Sequence, residues 1–232
     1  MAKKIKFIYV SEYAWEVVEK ASPSKNFIPE WHKKMKSYHE NKIKVINRES
    51  NATPKKCVPM LDAIACGYIV PLWSDVLFEE IEQGVSISWR VSEDVFQTHG
   101  QSSEMVPAPE GYYKDAFKYI SNMTIETPPG YSILVIPPAG HYDSPFLPIT
   151  AVIDSDRPTI DLAFPLWIKR GTNGIIEKGT PVVQIIPFKR DNWQSEFDYI
   201  NSQKFLSRKD KFFSSTIKNN YFKNTWSRKE YK

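Results

Sequence analysis

The sequence predicts a mainly β protein with short N-terminal helices and a C-terminal arm, and two observations carry that prediction. Seventeen prolines against nine glycines, with 14% aromatic residues, describe short strands joined by stiff turns, because proline ends a hydrogen-bonded ladder and fixes φ. The segment Val85-Ser86-Ile87-Ser88-Trp89-Arg90-Val91 alternates apolar and polar without a fault. That is the period of a half-buried strand with Val85, Ile87, Trp89 and Val91 turned to a core. A chain of 232 residues can bury such a core without a disulfide or metal staple. With 41% hydrophobic and 25% charged residues the composition is that of a soluble globular protein. No apolar run approaches the roughly 20 residues of a membrane-spanning helix, so no membrane partner is expected.

The elements follow in order. Met1 to Val10 places basic residues before a short apolar run that gives way at Ser11-Glu12 without a cleavage-site pattern, so it reads as a first strand rather than a signal peptide. Ser11 to Ser22 suits a helix capped by Ser11, with Tyr13, Val17 and Val18 on one face. Pro29 is well placed to open a second helix running to Met35. Lys42 to Lys56 is polar and contains Asn, Ser, Thr and Pro, which reads as a loop. Met60 to Gly67 forms a short buried helix stopped by glycine. Strands are expected at Tyr68–Trp73, Val76–Phe78 and, after a turn at Gln83-Gly84, along the alternating segment. Gln97 to Pro109 reads as a loop containing His99, and Phe117 to Ile125 as a further strand. Composition divides the chain into a basic N-terminal extension (1–56), a body (57–200) and a basic, aromatic-rich arm (201–232).

Cys57 and Cys66 stand nine residues apart without a Cys-x-x-Cys pairing. This argues against a disulfide scaffold and for a reducing compartment such as the interior of a cell. Charge is unevenly spread. Residues 1–60 carry 13 Lys/Arg against 6 Asp/Glu, residues 61–200 carry 9 against 19, and residues 201–232 carry 9 against 2. Basic ends around an acidic middle suit nucleic-acid contact, or charge-complementary packing of arms onto a neighbouring subunit.

Three stretches carry a resemblance. Pro128 to Tyr142 reads Pro-Pro-Gly-Tyr-Ser-Ile-Leu-Val-Ile-Pro-Pro-Ala-Gly-His-Tyr; Ala151-Val152-Ile153-Asp154-Ser155-Asp156 follows; Ile176 to Pro187 reads Ile-Glu-Lys-Gly-Thr-Pro-Val-Val-Gln-Ile-Ile-Pro. In this order they resemble the dUTPase family: a strand entering a Pro-Arg-Ser-Gly phosphate loop, a Gly-Val-Ile-Asp-x-Asp-Tyr-x-Gly hairpin, and a closing strand Ile-x-x-Gly-x-x-Ile-Ala-Gln-Leu-Ile. The resemblance covers about a quarter of the chain and implies a dUTPase-like β-clip or distorted barrel, homotrimeric as that family is. Cys57 to Tyr68 also resembles a Cys-x-Pro-x-Leu-Asp-Ala-x-x-x-Gly-Tyr pattern of an uncharacterised family of tailed-phage and bacterial proteins, which implies no activity.

The resemblance places Asp154 where the family's water-activating aspartate stands, making it the one catalytic candidate. Around it the family's ligands are replaced. Pro138 and Ala139 stand for the Arg and Ser of the phosphate loop ahead of Gly140, removing a cation and a hydroxyl donor. Arg157 stands for the tyrosine that packs on the sugar, and the glycine-rich C-terminal motif is absent. Asp156, Arg157, His141, Gly140 and Gln184 remain as ligand-binding candidates. A hairpin whose carboxylates accept backbone N–H groups is the structural reading of Asp154 and Asp156. Arg157 would then pair with one of them, or else replace the lost phosphate-binding cation. The four histidines, at 32, 39, 99 and 141, have no metal-ligand spacing, so no metal is expected. Residues 201–232 interleave nine basic residues with Phe205, Phe212, Phe213, Tyr221, Phe222, Trp226 and Tyr231. This composition fits a single-strand nucleic-acid platform, and equally an arm that buries aromatics while its lysines stay wet.

Two functions are thus expected from the sequence. The first is a non-enzymatic assembly or interaction protein, phage-encoded, working as a homo-oligomer with other phage or host proteins in the host cytoplasm or virion and needing no cofactor. The second is a dUTPase-related nucleotide-binding or nucleotide-hydrolysing protein using Mg²⁺.

Overall fold

The computed structural model describes residues 3–45, 48–82, 84–99, 106–157, 162–199, 202–207 and 221–231. In chain order the elements are β1 (Lys6–Tyr9), α1 (Glu12–Val17), β2 (Ser22–Pro23), α2 (Glu30–Lys34), β3 (Tyr38–Val45), β4 (Arg48–Ala52), α3 (Val58–Ala65), β5 (Tyr68–Pro71), β6 (Val76–Ile81), β7 (Gly84–Trp89) and β8 (Phe96–Thr98). There follow β9 (Tyr112–Ile120), β10 (Met123–Glu126), β11 (Tyr131–Ile136), β12 (Phe146–Pro148), β13 (Ala151–Ile153), β14 (Ala163–Lys169), β15 (Gly174–Ile176) and β16 (Pro181–Lys189). Residues 202–207 are helical and Tyr221–Thr225 is a π-helical turn. The protein is mainly β, and its sheets are antiparallel.

Contacts group the chain into two units, each drawn from separated segments: residues 1–27 with 66–190, and residues 28–65 with 191–232. The first unit holds a five-stranded sheet, β13-β11-β16-β5-β2, a four-stranded sheet, β12-β14-β9-β8, a three-stranded sheet, β15-β6-β7, and the β1-β10 pair. Among the described residues no sheet closes into a barrel. The outer strands β2 and β13 have two and three residues, too short to carry a ladder around, so the distorted-barrel expectation does not extend to closure.

Phe78, Phe96 and Phe146, from β6, β8 and β12, lie with ring centroids 6.0 Å apart in all three pairings and join the three- and four-stranded sheets. Trp73 Nε1 donates to the Ile120 carbonyl at 2.8 Å and the Tyr119 hydroxyl to the Pro71 carbonyl at 2.6 Å, so the buried polar ends of these rings are satisfied. Val85, Ile87, Trp89 and Val91 do face this core, each partly buried against it.

Several elements differ from expectation for local reasons. Ser11 caps α1, its Oγ accepting from Ala14 N at 3.0 Å, but the helix stops at Val17, where Val18 turns extended (φ -69°, ψ 129°), and Ser22–Pro23 pairs with β5. The strand expected over 117–125 is two strands, β9 and β10, separated at Ser121-Asn122, where Asn122 has φ 51°. Thr98 and Gln97, expected in a loop, pair with Phe117 and Lys118; residues 100–105 of that loop lie outside the described residues.

The second unit corrects the loop expected over 42–56. β3 and β4 form an antiparallel hairpin with Val45 opposite Arg48 and Ile43 opposite Ser50. Its strands are polar at most positions, so neither face leaves an apolar period to read. In the same unit α3 presents Asp62, whose carboxylate is held by Trp226 Nε1 at 2.8 Å, Lys229 Nζ at 2.6 Å and Tyr231 Oη at 2.6 Å. Trp226 stacks on Phe222 at 5.0 Å. Phe212 and Phe213 of the arm lie outside the described residues.

Candidate functional site

Register explains how the two aspartates are placed. On β11, Ile133 lies opposite Ile153 of β13 on one side, while Ser132 lies opposite Phe188 of β16 on the other. Continuing both ladders puts Asp154 beside Ser132, and puts Asp156 and Arg190 beside Gly130 from opposite sides. The backbone confirms the alignment: Gly130 N donates to Asp156 Oδ2 at 2.8 Å, and Arg190 N donates to the Gly130 carbonyl at 2.9 Å. Gly130 occupies the third position of the turn Pro128-Pro129-Gly130-Tyr131, closed by Tyr131 N to the Pro128 carbonyl at 3.2 Å, with φ 82°. A proline second and a left-handed glycine third define a type II turn, and a side chain at 130 would be strained there.

The guanidinium of Arg190 closes this arrangement. Nη2 bonds Asp156 Oδ2, while Nη1 lies 3.0 Å from Asp156 Oδ1, 3.0 Å from Asp154 Oδ1 and 3.0 Å from Ser132 Oγ. The Ser132 hydroxyl donates in turn to Asp154 Oδ1 at 2.7 Å. Beneath the pair, Ser155 is buried and its hydroxyl meets Thr127 Oγ1 at 2.7 Å. The Arg190 and Gly130 N–H donors hold the Asp156 carboxyl down to about 2. The Ser132 hydroxyl, then Arg190, hold Asp154 below its ordinary value. Both groups are therefore anions at neutral pH, and both have their donors in place.

The cation beside the aspartates is thus Arg190 and not Arg157. Arg157 follows the Asp156 turn, is exposed, and pairs with neither carboxylate among the described residues. Arg190 lies 34 residues after Asp156 and becomes its neighbour only through the order β13-β11-β16. A signal was present, in that Arg190 directly follows the closing strand, but it requires knowing that β11 lies between the other two.

The remaining candidates collect at the far end of β11. Gln184 lies opposite Ile136, four residues and about 13 Å along the strand from Ser132. Its side chain is fully buried; Oε1 accepts from Ala139 N at 2.8 Å and Nε2 donates to the Cys66 carbonyl at 2.8 Å. Gly140 is third in the turn Pro138–His141, closed by His141 N to the Pro138 carbonyl at 3.2 Å. His141 Nε2 lies 2.8 Å from the Phe27 carbonyl, an acceptor only, so this nitrogen carries the proton. Asp154 and Asp156 are therefore brought together with Arg190, while Gly140, His141 and Gln184 tie loop to strand elsewhere. Among the described residues no three His, Cys, Asp or Glu side chains converge as metal ligands, and no helix is long and apolar enough to cross a membrane.

No family model and no curated protein matches this chain.

Proposed function

We propose that this chain is a non-enzymatic dUTPase-like β-clip protein that assembles as a homo-oligomer, three copies favoured, and serves as a structural or accessory component encoded by a tailed phage. The observation that carries this reading is the clamp made by Asp154, Asp156 and Arg190. A water-activating carboxylate works with a pKa near the operating pH and a lone pair aimed at water. Asp154 instead has a lowered pKa, accepts from Ser132 and Arg190, and keeps 68% of its side chain in solvent rather than in a water-excluding pocket. Pro138 and Ala139, where the resembled family has a cation and a hydroxyl, point the same way.

In this reading the Asp-x-Asp hairpin locks the outer strand β13 and the end of β16 to the central β11. Its partners are further copies of the chain and other phage or host proteins, in the host cytoplasm or the virion. The competing reading, a nucleotide hydrolase with a remodelled pocket, would require Mg²⁺ and an Asp154 released from Ser132 and Arg190. Thermal unfolding with dUTP and other nucleotides, each with Mg²⁺, separates the two. A ligand at 100 times its dissociation constant stabilises a fold by about 2.7 kcal/mol. The expected result is an unmoved midpoint and no pyrophosphate release; dUTP turnover abolished by Asp154→Asn would overturn the proposal.

A further inference from the structure

Residues 191–199 leave β16 as an irregular, fully exposed strap reading Asp-Asn-Trp-Gln-Ser-Glu-Phe-Asp-Tyr. Trp193 is 90% exposed, Phe197 93% and Tyr199 85%. Three large aromatics offered to water within nine residues is unlike an ordinary surface, where single apolar residues are scattered, and is the composition of interface anchors. The strap is also acidic, with Asp191, Glu196 and Asp198 and not one cation.

The same unit holds a groove of opposite character. A cavity of about 750 Å³ is lined by Trp31, Met35 and Tyr38 with the charged residues Lys34, Lys36 and Glu40, two cations against one anion, a volume within the roughly 300–1,000 Å³ of sites that seat ligands or anchors. Lys56 Nζ stands 5.4 Å from the Tyr38 ring centre. Lys34 and Lys36 keep 79% of their side chains exposed, and their contacts with Glu30 and Glu40, at 3.8 and 3.3 Å, are exposed pairs that an incoming carboxylate can replace at little cost. The unit bearing the groove carries 17 Lys/Arg against 9 Asp/Glu, whereas the other carries 14 against 18.

We propose that residues 191–199 of one copy dock in the Trp31–Tyr38 groove of a second copy, aromatic rings on its apolar floor and carboxylates against Lys34 and Lys36. The strap does not fill the groove of its own chain, since its rings stand in solvent. Strap into groove is a head-to-tail contact, which closes into a ring when its rotation permits. The inference rests on the assembly reading but is narrower than it.

Light-scattering masses of the full chain test it. The strap variant Trp193→Ala/Phe197→Ala/Tyr199→Ala and the groove variant Lys34→Glu/Lys36→Glu alter exposed side chains only, so both should fold. The wild type is expected to exceed the 26.9 kDa of one chain and each variant to fall to it. An equimolar mixture of the two variants retains one intact joint and should give a 1:1 dimer of twice 26.9 kDa. Assembled wild type with both variants unchanged in mass would overturn this joint while leaving the assembly reading standing. A monomeric wild type would overturn both. Loss of single-stranded oligonucleotide binding by the groove variant, with its mass unaltered, would reassign the groove to nucleic acid and overturn the docking.

Discussion

At the scale of single residues, the clamp makes a contrast between two arginines. Arg190 neutralises Asp156, whose side chain is only 9% exposed, whereas Arg157 forms no ion pair with either aspartate among the described residues. Arg190→Gln should lower the melting temperature measurably, because it leaves a nearly buried carboxylate short of a partner; Arg157→Gln should leave it within error. Asp156 is depressed to about 2, so the stability it contributes is present above the ordinary aspartate value and is lost as pH falls from there toward about 2. Acid titration of Asp156→Asn should lack that segment of the wild-type curve. His32 offers a second pH test. Its ring is buried, and neither nitrogen has a hydrogen-bond partner among the described residues. Burial, with Lys55 nearby, holds it below its ordinary 6.5. A depressed histidine favours the folded state above 6.5, and that contribution is lost as pH falls from 6.5 through its folded value. His32→Leu, followed by denaturant midpoints from pH 7.5 to 5, should flatten this part of the profile.

At the scale of elements, legibility followed periodicity and resemblance. The strands expected at Tyr131–Ile136, Val152–Asp154 and Val182–Ile186 come from the dUTPase resemblance, and β11, β13 and β16 lie at those places. The β3–β4 hairpin could not be read, since its sequence is polar at most positions and offers no apolar period. Arg190 was illegible for another reason: its neighbour is set by sheet order and not by sequence distance. The α3–β5 junction shows what the Gly67-Tyr68 ending of the Cys57 motif is for. Gly67 has φ +72°, and a Cβ there would stand 2.1 Å from the backbone oxygen of Ile185 on β16. No side-chain rotation relieves a clash with backbone. Gly67→Ala is expected to cost about 3 kcal/mol or more, the upper end for point substitutions. Gly179→Ala meets nothing within 4 Å and should cost only the left-handed strain of about 1–2 kcal/mol. Urea midpoints of the two variants check the difference.

At the scale of the whole molecule, the arm shows how a motif residue can be visible while its partner is not. Asp62 stands in the Leu-Asp-Ala of that motif, yet the groups it binds lie 164 to 169 residues away. Desolvation opposes its ionisation, but the Lys229, Tyr231 and Trp226 donors outweigh it and hold the carboxyl below its ordinary value. Asp62→Ala should cost roughly 1–3 kcal/mol for the donors left unpaired. Limited proteolysis should then release a C-terminal fragment that the wild type protects.

Under the proposed function, a dUTPase-like scaffold is kept for assembly rather than for chemistry. Sedimentation equilibrium of the unmodified chain, without nucleotide or metal, tests it most directly. The expected result is a single species at a whole multiple of 26.9 kDa, three copies favoured. A species at 26.9 kDa across the accessible concentration range would contradict it.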